Sequence, residues 1–86
     1  MERARWNELK NERLKRTRGV SFDEIIKAAL LDIVANPTRP EQHFMLFEHK
    51  GCVWVVPCVR DAEGLFLKTL YRSRKYTKRY RRGQET

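Results

Sequence analysis

The chain has 86 residues, of which 41% are hydrophobic, and carries a net charge of +8. That length predicts one domain, residues 1–86, with a modest core, and no apolar run is long enough to cross a membrane as a helix. The charge is uneven, with +4 in residues 1–18, −2 in residues 19–71 and +6 in residues 72–86. Two basic ends on a near-neutral body suit nucleic acid, an anionic membrane surface or an acidic protein. Because the N-terminus is charged rather than apolar, we expect no signal peptide and a cytoplasmic location.

The first predicted element is a polar helix over residues 7–18, which contain no glycine or proline. Trp6, Leu9 and Leu14 recur at helical spacing, and strong helix formers fill most other positions. Gly19 is the expected residue just past the C-terminus of this helix. We interpret the basic residues of the helix as a solvated face.

A second helix is predicted to begin with a capping box at residues 21–24. Apolar residues then follow at helical spacing as far as Ile33. Leu31 and Val34 fall outside that stripe. Either the helix continues to residue 35, or it ends near residue 29 and residues 31–34 form a short strand, which is the alternative we favour.

Two strands are predicted next, because residues 43–49 alternate and residues 52–59 are almost unbrokenly apolar. The second run implies burial on both faces, and Pro57 within it predicts a bulge or the end of a ladder. Cys52 and Cys58 would lie about 20 Å apart on that strand, too far for a disulfide, so we expect two reduced thiols.

The last predicted strand covers residues 65–71, with Lys68 as its single charge. Strand alternation would place Lys68 on the same face as Phe66 and Leu70. Residues 72–82 then hold seven of the 19 basic residues, two tyrosines and no acid. The predicted fold class is therefore α+β, with two N-terminal helices, a three- or four-stranded antiparallel sheet, and a short basic C-terminal helix or tail.

The sequence contains no nucleotide-binding, metal-binding or Ser/His/Asp motif, so we expect no cofactor and no metal. Its cations, tyrosines and histidines are sufficient for RNA cleavage by attack of a 2′-hydroxyl on the neighbouring phosphate. That reaction needs a proton acceptor, cations for the phosphorane and a donor to the leaving oxygen. His43 and His49 share a predicted strand face, histidine is the residue type that ordinarily exchanges protons near neutral pH, and tyrosines can stack on bases.

Three segments follow one another in a specific order: Trp6 with residues 10–11 and 18–24, then residues 32–37, then residues 70–80. Together they resemble the BrnT-type toxins of bacterial type II toxin–antitoxin modules. In those toxins a Trp…Lys-Asn element leads to a basic residue followed by Gly-(Val/Ile)-Ser-Phe. Their final strand runs into a Ser-(Ala)-Arg-Lys helix that ends in Arg and Tyr.

The resemblance implies a RelE-like fold, a metal-independent endoribonuclease that inhibits translation, and a ribbon-helix-helix antitoxin that joins it in a hetero-oligomer. It carries two motifs onto Ser73, Arg74, Lys75 and Tyr80 and onto Lys10, Asn11, Gly19, Ser21 and Phe22. His43 is the nearest substitute for a histidine that those toxins have after the second helix. The predicted catalytic residues are Lys68, Arg74, Lys75, His43 and Tyr80. The predicted RNA-binding residues are Arg72, Tyr76, Lys78, Arg79, Arg81 and Arg82.

Two other functions are compatible with the same residues. One is a non-catalytic RNA- or ribosome-binding module that uses the same cationic face; under any of these functions, packing of a helix on the sheet is the alternative to base stacking for Tyr76 and Tyr80. The other is a protein-interaction subunit whose basic ends bind an acidic partner. Cleavage of RNA, on or off the ribosome, separates the first prediction from both.

Overall fold

A computed structural model describes the backbone of residues 4–85 and the side chains of residues 4–81. The elements, in order, are β1 (Ala4–Arg5), α1 (Glu8–Arg18), α2 (Phe22–Ile25), β2 (Ala29–Ala35), β3 (Gln42–His49), β4 (Cys52–Asp61), β5 (Gly64–Leu67), β6 (Tyr71–Ser73) and α3 (Arg74–Glu85). The strands lie side by side in the order β1-β5-β4-β3-β2, and β6 pairs with β4. None of the helices within residues 4–85 is long and apolar enough to span a membrane.

The predicted fold class, two N-terminal helices followed by a three- or four-stranded antiparallel sheet of RelE-like type, is wrong. Over residues 4–85 the sheet has six strands and is mixed, because β1 precedes α1 and pairs in parallel with β5. A strand of two residues is too short to show the alternation of apolar and polar residues by which a strand is recognised in a sequence. It is held instead by distant partners, since the Arg5 guanidinium pairs with Asp61 and Glu63.

The helix α1 and its end at Gly19 agree with the prediction, and the structure adds an N-cap at Asn7. The Asn7 side chain accepts a hydrogen bond from the Lys10 N–H at 3.0 Å, and Gly19 ends the helix with a φ of 77°. This left-handed conformation favours glycine. The predicted capping box at residues 21–24 is also present, but α2 is a single turn that ends at Ile25.

The strand alternative for residues 31–34 is confirmed, because Ala29–Ala35 is β2 at the edge of the sheet. Its pairing with β3 shifts register between Leu30 and Asp32. This bulge puts Leu30 and Ile33, three positions apart, on one strand face and so reproduces a helical spacing. Both side chains are about half exposed, at 48% and 51%, and they do not form the core face of a helix.

The predicted strand at residues 65–71 is divided by a bulge beside Pro57. Leu67 pairs with Cys58 and Tyr71 with Val55, so the β5–β6 side has one extra residue. The Pro57 carbonyl accepts from the Lys68 N–H at 2.8 Å. The N–H and C=O of one strand residue point to the same neighbouring strand, so a residue at position 57 would direct its N–H towards the irregular segment between β5 and β6. Proline has no N–H, but no ladder hydrogen bond is made on that side, so none is lost.

The bulge changes which side chains face the core. Leu67 and Leu70 are both buried in one cluster, whereas Lys68 is exposed, with its Nζ 6.0 Å from the centroid of the Phe66 ring. The prediction that Lys68 and Leu70 share a face is therefore wrong, because the extra residue reverses the alternation.

Helices cover both faces of the sheet, and β4 is buried between them as predicted. On one face, α1 and α2 contribute Leu14, Phe22 and Ile25 to a cluster with Trp54 and Val56. On the other face, α3 packs Tyr76 and Tyr80 against Leu46, Val53 and Val55. Cys58 lies within the first cluster, where burial raises the pKa of its thiol; both cysteines are free thiols.

Candidate nucleic-acid interface

The helix α3 begins directly after β6 and is held by two hydroxyl side chains, one of which bonds to β4 and the other to the first turn of the helix. The Thr77 Oγ1 accepts from the Val53 N–H at 2.8 Å and donates to the Ser73 carbonyl at 2.6 Å. The Ser73 Oγ accepts from the Tyr76 N–H at 3.2 Å, in the first turn of α3. These bonds give the cations of α3 a fixed position relative to those of β6.

The cations of α3 lie on two sides of the helix. Arg74, Lys78 and Arg81 recur at intervals of four and three, which places them in one row. Arg81 donates to the Gly51 carbonyl at 3.1 Å. The second row is Lys75 and Arg79, whose charged groups lie 5.7 and 5.5 Å from the Tyr76 ring centroid.

The first row borders a surface depression of about 320 Å³, and its first member, Arg74, also lines a second depression of about 440 Å³; the two depressions share Arg72 and Arg74. We call the cations that line them the basic surface, which consists of Arg18, Arg72, Arg74, Lys78 and Arg81. No acidic side chain lines either depression within the part of the chain whose side chains are described. Such a concentration of one sign of charge attracts a polyanion.

The end of α1 is held beside this surface by a hydrogen bond from the Arg18 guanidinium to the Leu70 carbonyl. Trp54 and Tyr71 line the larger depression with Arg18. Tyr71 is 37% exposed, and its pKa is raised by partial burial and then by the nearby Tyr76. The phenol therefore stays neutral and presents an accessible ring next to the arginines.

Among the predicted RNA-binding residues, Arg72, Lys78 and Arg81 belong to the basic surface. Arg79 lies on the opposite row, as does the predicted catalytic residue Lys75. The Arg82 side chain lies outside the described residues.

Both tyrosines of α3 face the sheet. Tyr76 and Tyr80 pack against Leu46 and Val53 in the second cluster, which is the packing role left open by the sequence. The pKa of Tyr80 is raised by desolvation and then by the Asp32 carboxylate. A phenol in that position is poorly placed to contact RNA bound on the basic surface.

The remaining predicted catalytic residues are not brought together with Arg74. Lys68 precedes Arg74 by six residues, up to about 20 Å of extended chain, and faces α1 instead. His43 pairs with Cys58, while Arg72 pairs with Trp54, positions that lie about 13 Å apart along β4. The structure therefore does not assemble Lys68, His43 and Arg74 into one site.

His49 is closer to the basic surface than His43. It pairs with Cys52, which lines the smaller depression, and its ring meets Trp54 edge-on at 6.4 Å. The His49 Nε2 is buried without a hydrogen-bond partner. The sequence favoured His43 over His49 as a catalytic residue because His43 follows the second predicted helix. The β3–β4 register instead places His49 nearer to the basic surface.

Sequence reasoning also missed the contribution of α1. Arg18 belongs to the basic surface, and Lys10, Arg13 and Arg16 line a further depression with Lys68. A charged helix surface gives no sequence signal that distinguishes a solvated face from a binding face, so only the tertiary placement reveals these residues.

The basic surface can bind phosphates and stabilise negative charge that develops on them. Arginine guanidinium groups match two phosphate oxygens at once. Within residues 4–81, no three His, Cys, Asp or Glu side chains lie close enough together to hold a metal ion. Comparison of the chain with known protein families, curated proteins and solved structures found no match.

Proposed function

We propose that the protein is the toxin of a bacterial toxin–antitoxin pair and that it cleaves RNA bound on the basic surface. The observation that carries this proposal is the convergence of Arg18, Arg72 and Arg74 from three elements around a depression whose described lining contains no acid. The sequence resemblance to BrnT-type toxins is the ground for the toxin part of the proposal. Its strand-to-helix motif falls on the β6–α3 junction, where Arg74 begins the helix.

Binding in this proposal is mainly electrostatic. The five cations of the basic surface contact successive phosphates of a single strand, and each contact releases counterions. The exposed ring of Tyr71 offers a stacking surface for one base, which requires the base to be unpaired. Single-stranded messenger RNA, free or on the ribosome, is therefore the proposed substrate, and the cytoplasm is the proposed place of action.

The cleavage step uses the RNA's own 2′-hydroxyl. Its oxygen forms a bond to the adjacent phosphorus, the bond from phosphorus to the 5′-oxygen breaks, and a 2′,3′-cyclic phosphate and a 5′-hydroxyl result. The 2′-hydroxyl proton passes to water, because the His49 Nε2 is buried, and the leaving oxygen takes a proton from water. Arg72 and Arg74 stabilise the charge of the phosphorane, an effect typically worth about a hundredfold in rate for each preorganised donor.

The proposed partner is an antitoxin of ribbon-helix-helix type, expected from the resemblance. Its inhibitory segment carries acidic residues and covers the basic surface, so that RNA and antitoxin compete for the same cations. Finding a short reading frame of ribbon-helix-helix type next to the gene would support this partner.

The experiment compares three proteins for growth arrest and for cleavage of messenger RNA, with and without ribosomes. They are the parent, the surface variant Arg72→Gln/Arg74→Gln, and the control variant Lys27→Gln/Arg39→Gln, which removes two exposed charges outside the basic surface. We expect arrest and cyclic-phosphate products from the parent and the control variant. The surface variant should lose at least a hundredfold in cleavage rate while its circular dichroism spectrum and melting temperature stay unchanged.

A non-catalytic RNA-binding module is the second candidate, because Lys68, His43 and Tyr80 do not converge on Arg74. Binding of RNA without cleavage, on or off the ribosome, would establish that candidate and refute the toxin proposal. If neither binding nor cleavage occurred, both would be refuted.

A further inference from the structure

A further basic depression lies along the part of α1 that precedes Thr17 and Arg18. It has a volume of about 410 Å³ and is bordered by α1 on one side and by the β5 end of the bulge on the other. Lys10, Arg13 and Arg16 recur along α1 at intervals of three, and Lys68 faces them from the bulge. We call these four residues the α1 groove.

The four cations of the α1 groove are not neutralised by carboxylates. Among the described side chains, the ion pairs are those of Arg5 with Asp61 and Glu63 and of Lys15 with Glu24. Glu12 is the single acid that lines the groove, and it lies within ion-pair distance of none of the four. Four cations against one carboxylate leave a net charge of +3 on the lining of the groove, and a bound polyanion relieves the resulting repulsion.

The α1 groove and the basic surface are linked by one helix, which contributes residues to both. Thr17 and Arg18 line the larger depression of the basic surface, and the residues before them line the groove. From Lys10 to Arg18 the helix rises about 12 Å. The bond from Arg18 to the Leu70 carbonyl holds the helix end beside the bulge, and the two groups of cations lie on different sides of the same helix.

Apolar side chains lie among the cations that line the groove. Leu9 is 77% exposed, and it lines the groove together with the half-buried Phe66. Exposed apolar groups between cations suit a strand that carries bases as well as phosphates. A purely acidic peptide would leave these apolar groups uncovered.

We propose that the α1 groove is the second half of the RNA-binding site, so that a single strand bound on the basic surface continues along α1 to Lys68. This inference rests on the proposed function, because it extends the RNA strand that the basic surface binds. It assigns Lys68, Arg13 and Arg16 to phosphate contacts outside the place of cleavage. The site is then long enough for binding to strengthen with the length of the RNA.

The test measures the salt dependence of binding by fluorescence anisotropy for 2′-O-methyl oligouridylates, which resist cleavage through the 2′-hydroxyl. A short oligonucleotide of about 4 nucleotides and a long one of about 12 cover the site sizes usual for single-strand-binding surfaces. The groove variant is Arg13→Gln/Lys68→Gln. Its matched control is Lys27→Gln/Arg39→Gln, which removes the same charge elsewhere.

We expect the groove variant to reduce the log–log salt slope for the long oligonucleotide by about 1.4, or about 0.7 for each lost phosphate contact. Its slope for the short oligonucleotide should equal that of the control. The surface variant Arg72→Gln/Arg74→Gln should weaken binding at both lengths.

Three results would overturn the inference while leaving the proposed function intact. One is a groove variant that matches the control at both lengths, and another is a variant that weakens both lengths equally. The third is an unchanged RNA slope with lost binding of poly-glutamate, which would assign the groove to an acidic protein. If the surface variant bound both oligonucleotides as the parent does, the proposed function itself would fail.

Discussion

Asn11 joins α1 to the start of α2, and its removal should destabilise the domain. The side chain is 6% exposed. Its Oδ1 accepts from the Phe22 N–H at 2.7 Å, and its Nδ2 donates to the Asp23 carboxylate at 2.9 Å. Because Phe22 is fully buried, its N–H has no access to water once Asn11 is shortened.

The expected cost of Asn11→Ala follows from these two bonds. A buried N–H left without an acceptor costs about 1–3 kcal/mol, and a lost hydrogen bond to a solvated carboxylate adds roughly 1 kcal/mol. Alanine returns about 0.5 kcal/mol through its higher helix propensity. The net loss of unfolding free energy is about 2 kcal/mol, which in a domain of this size lowers the melting temperature by about 8–16 °C.

The assay is urea unfolding followed by circular dichroism, in which that loss moves the midpoint by about 2 M when the slope is about 1 kcal/mol/M. Asn7→Ala is the matched control, because it removes one exposed helix cap worth about 1 kcal/mol. Asn11→Asp should keep the acceptor for Phe22 and place a second carboxylate against Asp23. A midpoint for Asn11→Ala equal to the parent's would refute this account of how α1 and α2 are joined.

Three further outcomes are expected. The pKa of Glu24 is lowered from 4.5, chiefly by its hydrogen bond from Lys15. Its contribution to stability is therefore complete above pH 4.5 and is lost as the pH falls through the folded pKa. When melting temperatures are measured at decreasing pH, the Glu24→Gln variant should lose less stability than the parent. Thr77→Val should cost about 1–3 kcal/mol of unfolding free energy by leaving the Val53 N–H without an acceptor, with Thr77→Ser restoring it in the same urea assay. Lys68→Met should slightly lower the affinity for long RNA and leave the single-turnover cleavage rate unchanged. A hundredfold loss of rate would instead place Lys68 at the reacting phosphate.

Local chemistry made parts of the fold predictable. The end of α1 at Gly19 and the capping box of α2 depend on residues within a few positions of one another, such as Ser21 with Glu24. The β3–β4 hairpin likewise follows from two apolar runs around Lys50 and Gly51, which have φ values of 53° and 80°. Pro57 indicated a bulge because its missing N–H excludes a complete ladder.

Long-range pairing was the part that the sequence did not reveal. Nothing near Ala4 and Arg5 indicates that they pair with Leu65 and Phe66, because the contacts that hold them come from the opposite end of the chain. The β2 bulge gave Leu30 and Ile33 a helical spacing, and the β5–β6 bulge moved Leu70 to the core face. A bulge of one residue moves every later side chain of the strand to the opposite face of the sheet.

The candidate site was predicted only where its residues follow one another in the chain. Arg72 and Arg74 flank the β6–α3 junction, so the basic run placed them correctly on one surface. Arg18 joins them only through the fold. The predicted grouping of Lys68 with Arg74 assumed a continuous strand, which the bulge at Lys68 interrupts.

The central claim is that the basic surface binds single-stranded RNA, and the salt dependence of binding to a short oligonucleotide tests it most directly. Four or five phosphate contacts predict a log–log slope of about −3 to −4 for the parent, at about −0.7 per contact. The surface variant Arg72→Gln/Arg74→Gln should reduce the magnitude of that slope by about 1.4, while Lys27→Gln/Arg39→Gln leaves it unchanged. A parent slope near zero, or equal slopes for the two variants, would contradict the claim.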